Sequence, residues 1–303
     1  TILDPTGLNP KYTPGAGETG PITMTLTAFG NAPCPSVSSS FTLTVNPPVA
    51  VNAGSSNTIC EGSVYHITAA TADNVTNIQW VPSGTGTFDN ANIINPTYTP
   101  SAADILAGNV LLTLNADGLN ACDAGSSSFS LGISRQVVIS AGTDAMVCQN
   151  APVTISGGNQ QFATGISWSS SGTGTLSGTN SVAPTYQPGA GESGLVTLTL
   201  SASAIAPCVS VSDQVIITVH PLPLADAGAS ENSCQGYNYT LTGASAQFES
   251  AVSWTEDGTG SLINANTLSP TYIPLAGETG IVTFTLAAQG SNSCLIDVAT
   301  DTR

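Results

Sequence analysis

The sequence predicts an all-β protein built from tandem copies of one small antiparallel sandwich, and three observations carry that prediction. Tryptophan recurs at nearly equal intervals, at Trp80, Trp168 and Trp254, and a Gly-Thr-Gly triplet begins four residues after each tryptophan. Between these landmarks apolar and polar residues alternate with a period of two, which is the pattern of strands with one buried face. Glycine-rich turn signals separate the strands.

A repeat of about 87 residues divides the 303-residue chain into four segments. Residues 1–45 are the C-terminal half of a repeat, 46–133 and 134–219 are whole repeats, and 220–303 is a repeat expected to lack most of its last strand. We call these segments the half repeat and the first, second and third repeats. Because half a sandwich cannot bury its open face alone, we expect the chain to be a window from a longer array.

Each repeat contains about seven short strands around one tryptophan, which favours an immunoglobulin-like antiparallel β-sandwich. Joined without long linkers, such sandwiches are expected to form an extended rod. Trp80, Trp168 and Trp254 are the predicted core anchors, because each shares a strand face with an aliphatic residue two positions earlier. Three apolar residues of the strand after each Pro-x-Tyr segment are also predicted to point inward: Ile22, Met24, Leu26; Val110, Leu112, Leu114; Val196, Leu198, Leu200; Val282, Phe284, Leu286.

Seven cysteines recur along the chain, with short and long steps in alternation: Cys34, Cys60, Cys122, Cys148, Cys208, Cys234, Cys294. Two pairing schemes fit this spacing. One closes each repeat on itself and leaves Cys34 to an upstream partner: Cys60 with Cys122, Cys148 with Cys208, Cys234 with Cys294. The second scheme pairs cysteines across the junctions, at the short step of 26 residues, and leaves Cys294 without a partner. We favour the first scheme because a crosslink within one folding unit forms without its neighbour, and closing a loop of about 60 residues contributes about 4 kcal/mol on the entropic view.

Composition excludes several classes of partner. The chain carries 19 acidic and 3 basic residues, for a net charge of −16, so a nucleic-acid partner is not expected. It contains no apolar run long enough to cross a bilayer and no secretion leader, so neither a membrane span nor a retained signal is expected. Paired cysteines without metal-ligand spacing indicate an oxidising, extracellular compartment.

No catalytic site and no enzyme activity are expected. The two histidines, His66 and His220, fall on an outer strand face and at a junction, and neither recurs in the other repeats. Glu256 and Asp257 precede a Gly-Thr-Gly triplet as in an acidic catalytic loop, but the other repeats build the same turn without carboxylates.

Calcium is the one cofactor considered, because an acidic extracellular array can use a hard cation to stiffen its junctions. The candidate ligands are three turn glutamates and two aspartates near the junctions: Glu18, Glu192, Glu278, Asp144 and Asp226. The alternative is that these carboxylates are solvated. The recurring tyrosines, Tyr12, Tyr98, Tyr186 and Tyr272, are either glycan-stacking platforms or core residues with a hydroxyl bonded to backbone, and we favour the second interpretation.

The order of motifs resembles a known repeat type. Ala-Gly, Cys, Trp, Gly-Thr-Gly, a Pro-Thr-Tyr segment such as 95–100, a Val-Thr-Leu-Thr-Leu-type strand and a second Cys resemble the PKD-like, immunoglobulin-like repeats of giant surface adhesins from gliding Bacteroidetes. The resemblance implies export by the type IX secretion system and display as a cell-surface filament. Asn150 departs from the pattern, since Gly62 and Gly236 stand at the equivalent positions.

The first functional hypothesis is therefore an extracellular, adhesin-like stalk or filament, with neighbouring repeats and an unknown surface, glycan or cell-surface ligand as its partners. A second hypothesis makes the repeats spacers or binding modules of a large secreted enzyme, such as a polysaccharide hydrolase. A third makes the chain a subunit of a multi-chain fibre whose truncated repeats are completed by strand exchange.

Overall fold

The computed structural model describes residues 1–119 and 122–303, and the fold is all-β, with tandem β-sandwich domains. The chain separates into two compact units. Unit 1 comprises Thr1–Gln136 together with the loop Ile205–Cys208, and unit 2 comprises Val137–Ala204 and Val209–Arg303.

Short strands make up nearly all of the regular structure. The half repeat contains β1 to β4: Ile2–Leu3, Lys11–Tyr12, Gly20–Ala28, Val37–Val45. The first repeat contains β5 to β13 and a short helix, α1, between β11 and β12: Ala50–Asn52, Asn57–Cys60, Tyr65–His66, Thr71–Asp73, Val75–Pro82, Thr87–Phe88, Thr97–Thr99, Ala102–Ala107 (α1), Asn109–Gly118, Gly125–Ser134.

The second repeat contains β14 to β22: Val138–Ser140, Ala145–Cys148, Val153–Thr154, Asn159–Gln161, Gly165–Ser170, Thr175–Ser177, Thr185–Gln187, Gly194–Ser203, Val211–His220. The third repeat contains β23 to β30, with a 3₁₀ turn at Asn292–Cys294 before the last strand: Leu224–Asp226, Tyr239–Thr240, Ser245–Gln247, Glu249–Glu256, Ser261–Ile263, Thr271–Ile273, Phe284–Gly290, Val298–Thr302.

The first and second repeats share one sheet topology. In each, a four-stranded sheet in the order β6-β13-β12-β9 or β15-β22-β21-β18 is accompanied by a three-stranded sheet and a two-stranded pair. The long central strands pair antiparallel, whereas the strand that ends at the first cysteine of the repeat runs parallel to the last strand. Cys60 thereby lies opposite Ser134, and Cys148 lies opposite His220.

A hydrophobic core fills each of the three sandwiches. Trp80, Trp168 and Trp254 are all buried in these cores, and each indole nitrogen donates a hydrogen bond to a backbone carbonyl 13 or 14 residues later. The inward residues of β12 and β21, named above from the alternation, are buried as well, because strands of period two place them on a single face.

The half repeat keeps an open apolar face. Strands β3 and β4 pair along nine residues, but Leu26 and Phe41 remain 59% and 65% exposed. A two-stranded ribbon without a facing sheet has nothing to bury these side chains against.

The last strand of the third repeat is present over Val298–Thr302, half the length of its counterpart β22. Counting one repeat length of 86 residues from the inward Val215 would place Asp301 at an inward position. Asp301 does not replace an inward valine, because it lies opposite Leu286 as Asp213 lies opposite Leu200. The loop after Cys294 is two residues longer than the loop after Cys208, which shifts the alignment by two positions.

Helix α1 replaces the glutamate-containing turn of the other repeats. Ser101 caps its first turn by accepting from the Asp104 backbone N–H, and the Asp104 carboxylate accepts in return from the Ser101 N–H. This reciprocal capping box explains why six residues can form a helix here. Among the described residues no helix has the length and apolar character that a membrane crossing requires.

Candidate functional site: tyrosine–carboxylate clusters and disulfides

A buried tyrosine and a carboxylate meet at the Gly-Thr-Gly triplet of the first, second and third repeats. In the second repeat the Tyr186 hydroxyl donates to Glu192 Oε2 at 2.7 Å. The same carboxylate accepts from the backbone N–H of Thr173 at 2.7 Å and of Gly189 at 2.8 Å, and Gly174 N–H donates to the Tyr186 hydroxyl oxygen at 3.1 Å. We call this arrangement the tyrosine–carboxylate cluster.

The first and third repeats contain the same cluster. The Tyr98 hydroxyl donates to Asp104 Oδ2 at 2.9 Å, and Gly86 N–H donates to the same oxygen at 2.9 Å. In the third repeat the Tyr272 hydroxyl lies 2.8 and 2.9 Å from the two carboxylate oxygens of Glu278. The half repeat retains a version in which Glu18 accepts from Gly15 N–H at 2.6 Å.

Electrostatics favours the charged carboxylate and the neutral phenol in each cluster. Burial alone would raise the pKa of Glu192, but the hydrogen bonds from Tyr186, Gly189 and Thr173 outweigh it and leave that pKa below its usual range. Burial, and next the hydrogen bond to Glu192, raise the pKa of the Tyr186 phenol. Burial, and next the hydrogen bond to Asp104, likewise raise the pKa of Tyr98. Burial is also the largest contribution for Asp104, but the hydrogen bonds to its carboxylate outweigh it and lower that pKa.

The carboxylates named above as calcium candidates are already engaged. Glu192 and Glu278 hold tyrosine hydroxyls and backbone amides with the oxygens that a calcium ion would need. Asp144 accepts from Ile216 N–H at 2.8 Å, and Asp226 caps the turn at Gly228 with a 2.9 Å hydrogen bond. These groups hold the backbone of their own repeat.

Tyr12 of the half repeat is only partly buried. The tyrosine rings of the first, second and third repeats are not available for glycan stacking, because Tyr98 and Tyr186 are fully buried and Tyr272 is 4% exposed. They are core residues, as favoured above. Their hydroxyls donate to a carboxylate, however, where the sequence led us to expect a backbone partner.

The histidines and Asp257 occupy structural positions. The His66 ring nitrogen Nδ1 lies 2.9 Å from the Thr97 hydroxyl, in the place where the second repeat pairs Thr154 with Thr185. His220 Nδ1 lies 3.1 Å from the Ser293 hydroxyl. Asp257 accepts from the backbone N–H of Thr283, a contact that serine makes in the other repeats.

The disulfide pairing differs from both schemes considered above. Cys60 is bonded to Cys208 and Cys148 to Cys294, with Cα atoms 4.9 Å apart in both pairs. All seven cysteines lie in the described part of the chain, and the remaining three are free thiols: Cys34, Cys122, Cys234. The favoured pairing of cysteines within one repeat is therefore wrong.

Strand geometry explains why a repeat cannot close on itself. In the first repeat Cys60 lies beside Ser134, the last residue of β13, whereas Cys122 lies in the turn before β13 begins. The length of the strand separates these positions by about 30 Å. A disulfide needs Cα atoms about 4.4–6.8 Å apart, so cysteines at opposite ends of one strand cannot bond.

A group of possible metal ligands occurs at one disulfide. Among the described residues, Cys148, Cys294 and Asp297 bring ligand atoms within 4.8 Å of one another. Both sulfurs are consumed in the disulfide, and a disulfide offers no thiolate to a metal. The cluster is therefore a disulfide with a neighbouring carboxylate.

The sequence reasoning missed the tyrosine–carboxylate cluster, although a signal for it exists. The carboxylate follows the tyrosine by six residues in every segment, from Tyr12 and Glu18 onwards. This spacing persists where aspartate replaces glutamate at Asp104. A constant step between two polar residues in otherwise variable turns indicates a direct contact.

Comparison with known proteins yields a fold and no family. No family model and no curated protein matches the chain. Among solved structures, the I-band fragment I67–I69 of titin aligns with a TM-score of 0.51 at 14% identity, covering 84% of this chain and 97% of that one. Extracellular cadherin domains 1–4 of protocadherin gamma B7 align at 0.43 and 12% identity, over 90% and 79% of the two chains. Mouse cadherin-23 EC22–24 aligns at 0.42 and 14% identity, over 94% and 97%. At such identities the likeness to titin shows the fold alone, which is that of tandem immunoglobulin-like β-sandwiches.

Proposed function

We propose that this chain is part of an extracellular array of β-sandwich repeats with a structural or adhesive role, displayed at the cell surface as a stalk or filament. The observation that carries the proposal is that the recurring polar residues of each repeat serve its own architecture. The carboxylates, tyrosines and glycine triplets hold turns, and the paired cysteines bond one repeat to the next.

Two properties support the extracellular setting. Disulfides persist in oxidising compartments and are rare in the cytosol. A net charge of −16 keeps neighbouring copies of an array soluble and mutually repelling. The tandem immunoglobulin-like fold is compatible with this role.

The narrower assignment rests on the motif resemblance. It would make the chain part of a giant adhesin of gliding Bacteroidetes, exported by the type IX system, that contacts a surface, a glycan or another cell. The ligand would then be bound outside the buried clusters, because their tyrosine rings are enclosed in the cores.

Surface labelling tests the proposal. Fab fragments raised against the purified chain are applied to intact cells of the source organism and, separately, to permeabilised cells. We expect equal labelling of both, and reduced attachment of Fab-treated cells to glass or to other cells. Labelling that requires permeabilisation would refute the cell-surface assignment. A neighbouring domain with paired catalytic carboxylates would favour the spacer role in a secreted hydrolase.

One observation favours the fibre-forming alternative. Strand β29 begins at Phe284, whereas its counterpart β21 already pairs from Gly194, so residues 280–282 offer unpaired backbone at an edge. A strand from a second copy would complete this edge by β-augmentation. Sedimentation of the chain over a hundredfold concentration range tests this, because a monomer throughout contradicts strand exchange.

A further inference from the structure

The two disulfides follow one rule. Each joins the cysteine at the end of the second strand of one repeat to the cysteine in the loop before the last strand of the next repeat. The pairs are Cys60 with Cys208 and Cys148 with Cys294, and their sequence separations are 148 and 146. We call the two kinds the strand cysteine and the loop cysteine.

The free thiol of Cys122 has the surroundings of a bonded loop cysteine. Its backbone N–H donates to the carbonyl three residues earlier, as do those of Cys208 and Cys294. Each loop sulfur also lies against a carbonyl at the junction that opens its own repeat. The distances from the cysteine Sγ to the backbone carbonyl oxygen are 3.7 Å from Cys122 to Pro47, 3.4 Å from Cys208 to Ser134, and 3.3 Å from Cys294 to Pro221.

Cys34 is a loop cysteine by the same local criterion, since its N–H donates to the carbonyl of Asn31 at 2.8 Å. In both disulfides the strand cysteine precedes its loop cysteine, by 148 and by 146 residues. For Cys34 and Cys122 that position precedes Thr1.

Cys234 has the sequence position of a strand cysteine, although no strand is formed immediately before it. The N–H three residues after it donates back to its carbonyl, as happens after Cys60 and Cys148. In the other repeats the strand cysteine pairs with the last residue of the last strand, Ser134 or His220. In the third repeat that position falls five residues beyond Arg303, because the backbones of Arg303 and Phe284 pair as those of Val215 and Leu198 do.

We propose that Cys34, Cys122 and Cys234 are linking sites for adjacent copies of the same repeat. The partner of each is a cysteine thiol of the opposite kind, presented by the neighbouring repeat of the same polypeptide. Cys234 bonds the loop cysteine of the repeat that follows it, and Cys34 and Cys122 bond the strand cysteines of the repeats that precede theirs. This proposal stands independently of the adhesive role.

The bond forms by thiol–disulfide exchange with a disulfide oxidant. The thiolate of Cys234 attacks one sulfur of the oxidant, and the other sulfur leaves as a thiolate that takes up a proton. The partner cysteine thiolate then attacks the Cys234 sulfur and expels the second half of the oxidant. Two protein thiols lose two protons and two electrons, and one oxidant disulfide becomes two thiols.

An extended chain tests the proposal. Residues 216–303, carrying Cys234→Ser in the added copy so that only the original Cys234 is counted, are duplicated after Arg303. The addition continues the last strand in register, supplies a junction and adds one more repeat. After refolding with reduced and oxidised glutathione, free thiols are alkylated and disulfide-linked peptides are mapped. We expect Cys234 to bond the Cys294 of the added copy. Alkylation of Cys234 should then fall at least tenfold relative to the original chain, while Cys34 and Cys122 stay reactive.

The bonds Cys60–Cys208 and Cys148–Cys294 serve as internal controls for folding. When both are mapped and Cys234 is alkylated as fully as in the original chain, the proposal is wrong. Absence of those two bonds in a cooperatively folded chain overturns the pairing rule itself. Replacing the added Cys294 by serine must restore alkylation of Cys234. Protection of Cys234 in the original chain through a dimer bonded to Cys34 would make a second copy the partner and would also overturn the proposal.

Discussion

The tyrosine–carboxylate pair is the smallest unit that the repeats have in common. Glu192 and Glu278 reach the tyrosine from a glycine-containing turn, whereas the shorter Asp104 does so from the first turn of α1. The helix compensates for the missing methylene by placing the aspartate at its N-terminal end, where Ser101 also bonds it. Different backbones thus deliver a carboxylate to the same hydroxyl.

Removing one hydroxyl should weaken one repeat. In Tyr186→Phe the ring still fills the core, but Glu192 and Gly174 each lose a partner. We expect the second repeat to lose about 1–2 kcal/mol of unfolding free energy. Peptide-resolved hydrogen exchange measures this, with the third repeat as an internal reference. The exposed Tyr237→Phe is the matched control, and equal exchange in both variants would contradict the role of the cluster.

Lowering the pH should reduce the stability that the tyrosine–carboxylate clusters contribute. The pKa of Glu192 is lowered by folding, so its contribution to stability is complete above the pKa of the unfolded chain and is lost as pH falls through the folded value. Glu192→Gln should therefore be less stable than the native chain at about pH 7, and its stability should fall less between about pH 5 and pH 2. Urea titrations at each pH, read by a labelling pulse at one fixed pH, measure the difference. Parallel pH curves for both proteins would disprove the linkage.

At the scale of the element, the Gly-Thr-Gly triplet is a tight turn that must leave room for the tyrosine. A Cβ at Gly174 would lie 2.2 Å from the Gln187 carbonyl oxygen and 2.7 Å from the Tyr186 ring. Gly86 and Gly260 meet the same obstruction. The triplet and the tyrosine therefore recur together.

Gly174→Ala should destabilise the second repeat by about 1–3 kcal/mol through overpacking. Gly165→Ala is the control, because no atom outside its chain neighbours lies within 4 Å of a Cβ at that position and its φ is not positive. Thermal unfolding of both variants, compared with the native chain, measures the effect. A Gly174→Ala variant as stable as Gly165→Ala would show that the turn can shift.

Strand identity was predictable from the sequence, whereas strand register was not. The alternation at Val196, Leu198 and Leu200 is strict, and a one-residue slip would expose all three, so their burial follows from the pattern. The last strand of the third repeat has no comparable alternation. Its register depends on the loop after Cys294, whose two extra residues place Asp301 where Asp213 stands.

At the scale of the whole molecule, disulfide connectivity was the feature least accessible from sequence. Loop entropy differs by only about 1–2 kcal/mol among the candidate pairs. The choice is made by the strand end at which each cysteine lies. The parallel pairing of β6 with β13 brings Cys60 to the end of β13, the last strand of the first repeat. No residue type in the sequence indicates that pairing. The tandem organisation and the cores were thus predictable, whereas the covalent connections were not.

Removing a disulfide should affect stability far more than removing a free thiol. Cys148→Ser with Cys294→Ser opens a loop whose ends have a sequence separation of 146, and we expect a loss of up to about 4–5 kcal/mol on the entropic model. Calorimetry of the non-reduced proteins measures the shift in unfolding temperature. Cys34→Ser is the control, since that thiol is exposed and unbonded. Equal unfolding temperatures for the two variants would contradict a stabilising role for the bond.

The overlap of the two crosslinks changes what happens when the chain is pulled from its ends. The shortest covalent route from Thr1 to Arg303 runs to Cys60, crosses to Cys208, returns to Cys148 and crosses to Cys294. That route contains only about 130 residues, so full stretching gives about 460 Å, against about 1,060 Å for the reduced chain. Single-molecule pulling with and without reductant should show this more than twofold difference in maximum extension. An oxidised array would thus resist tearing even after its sandwiches had unravelled.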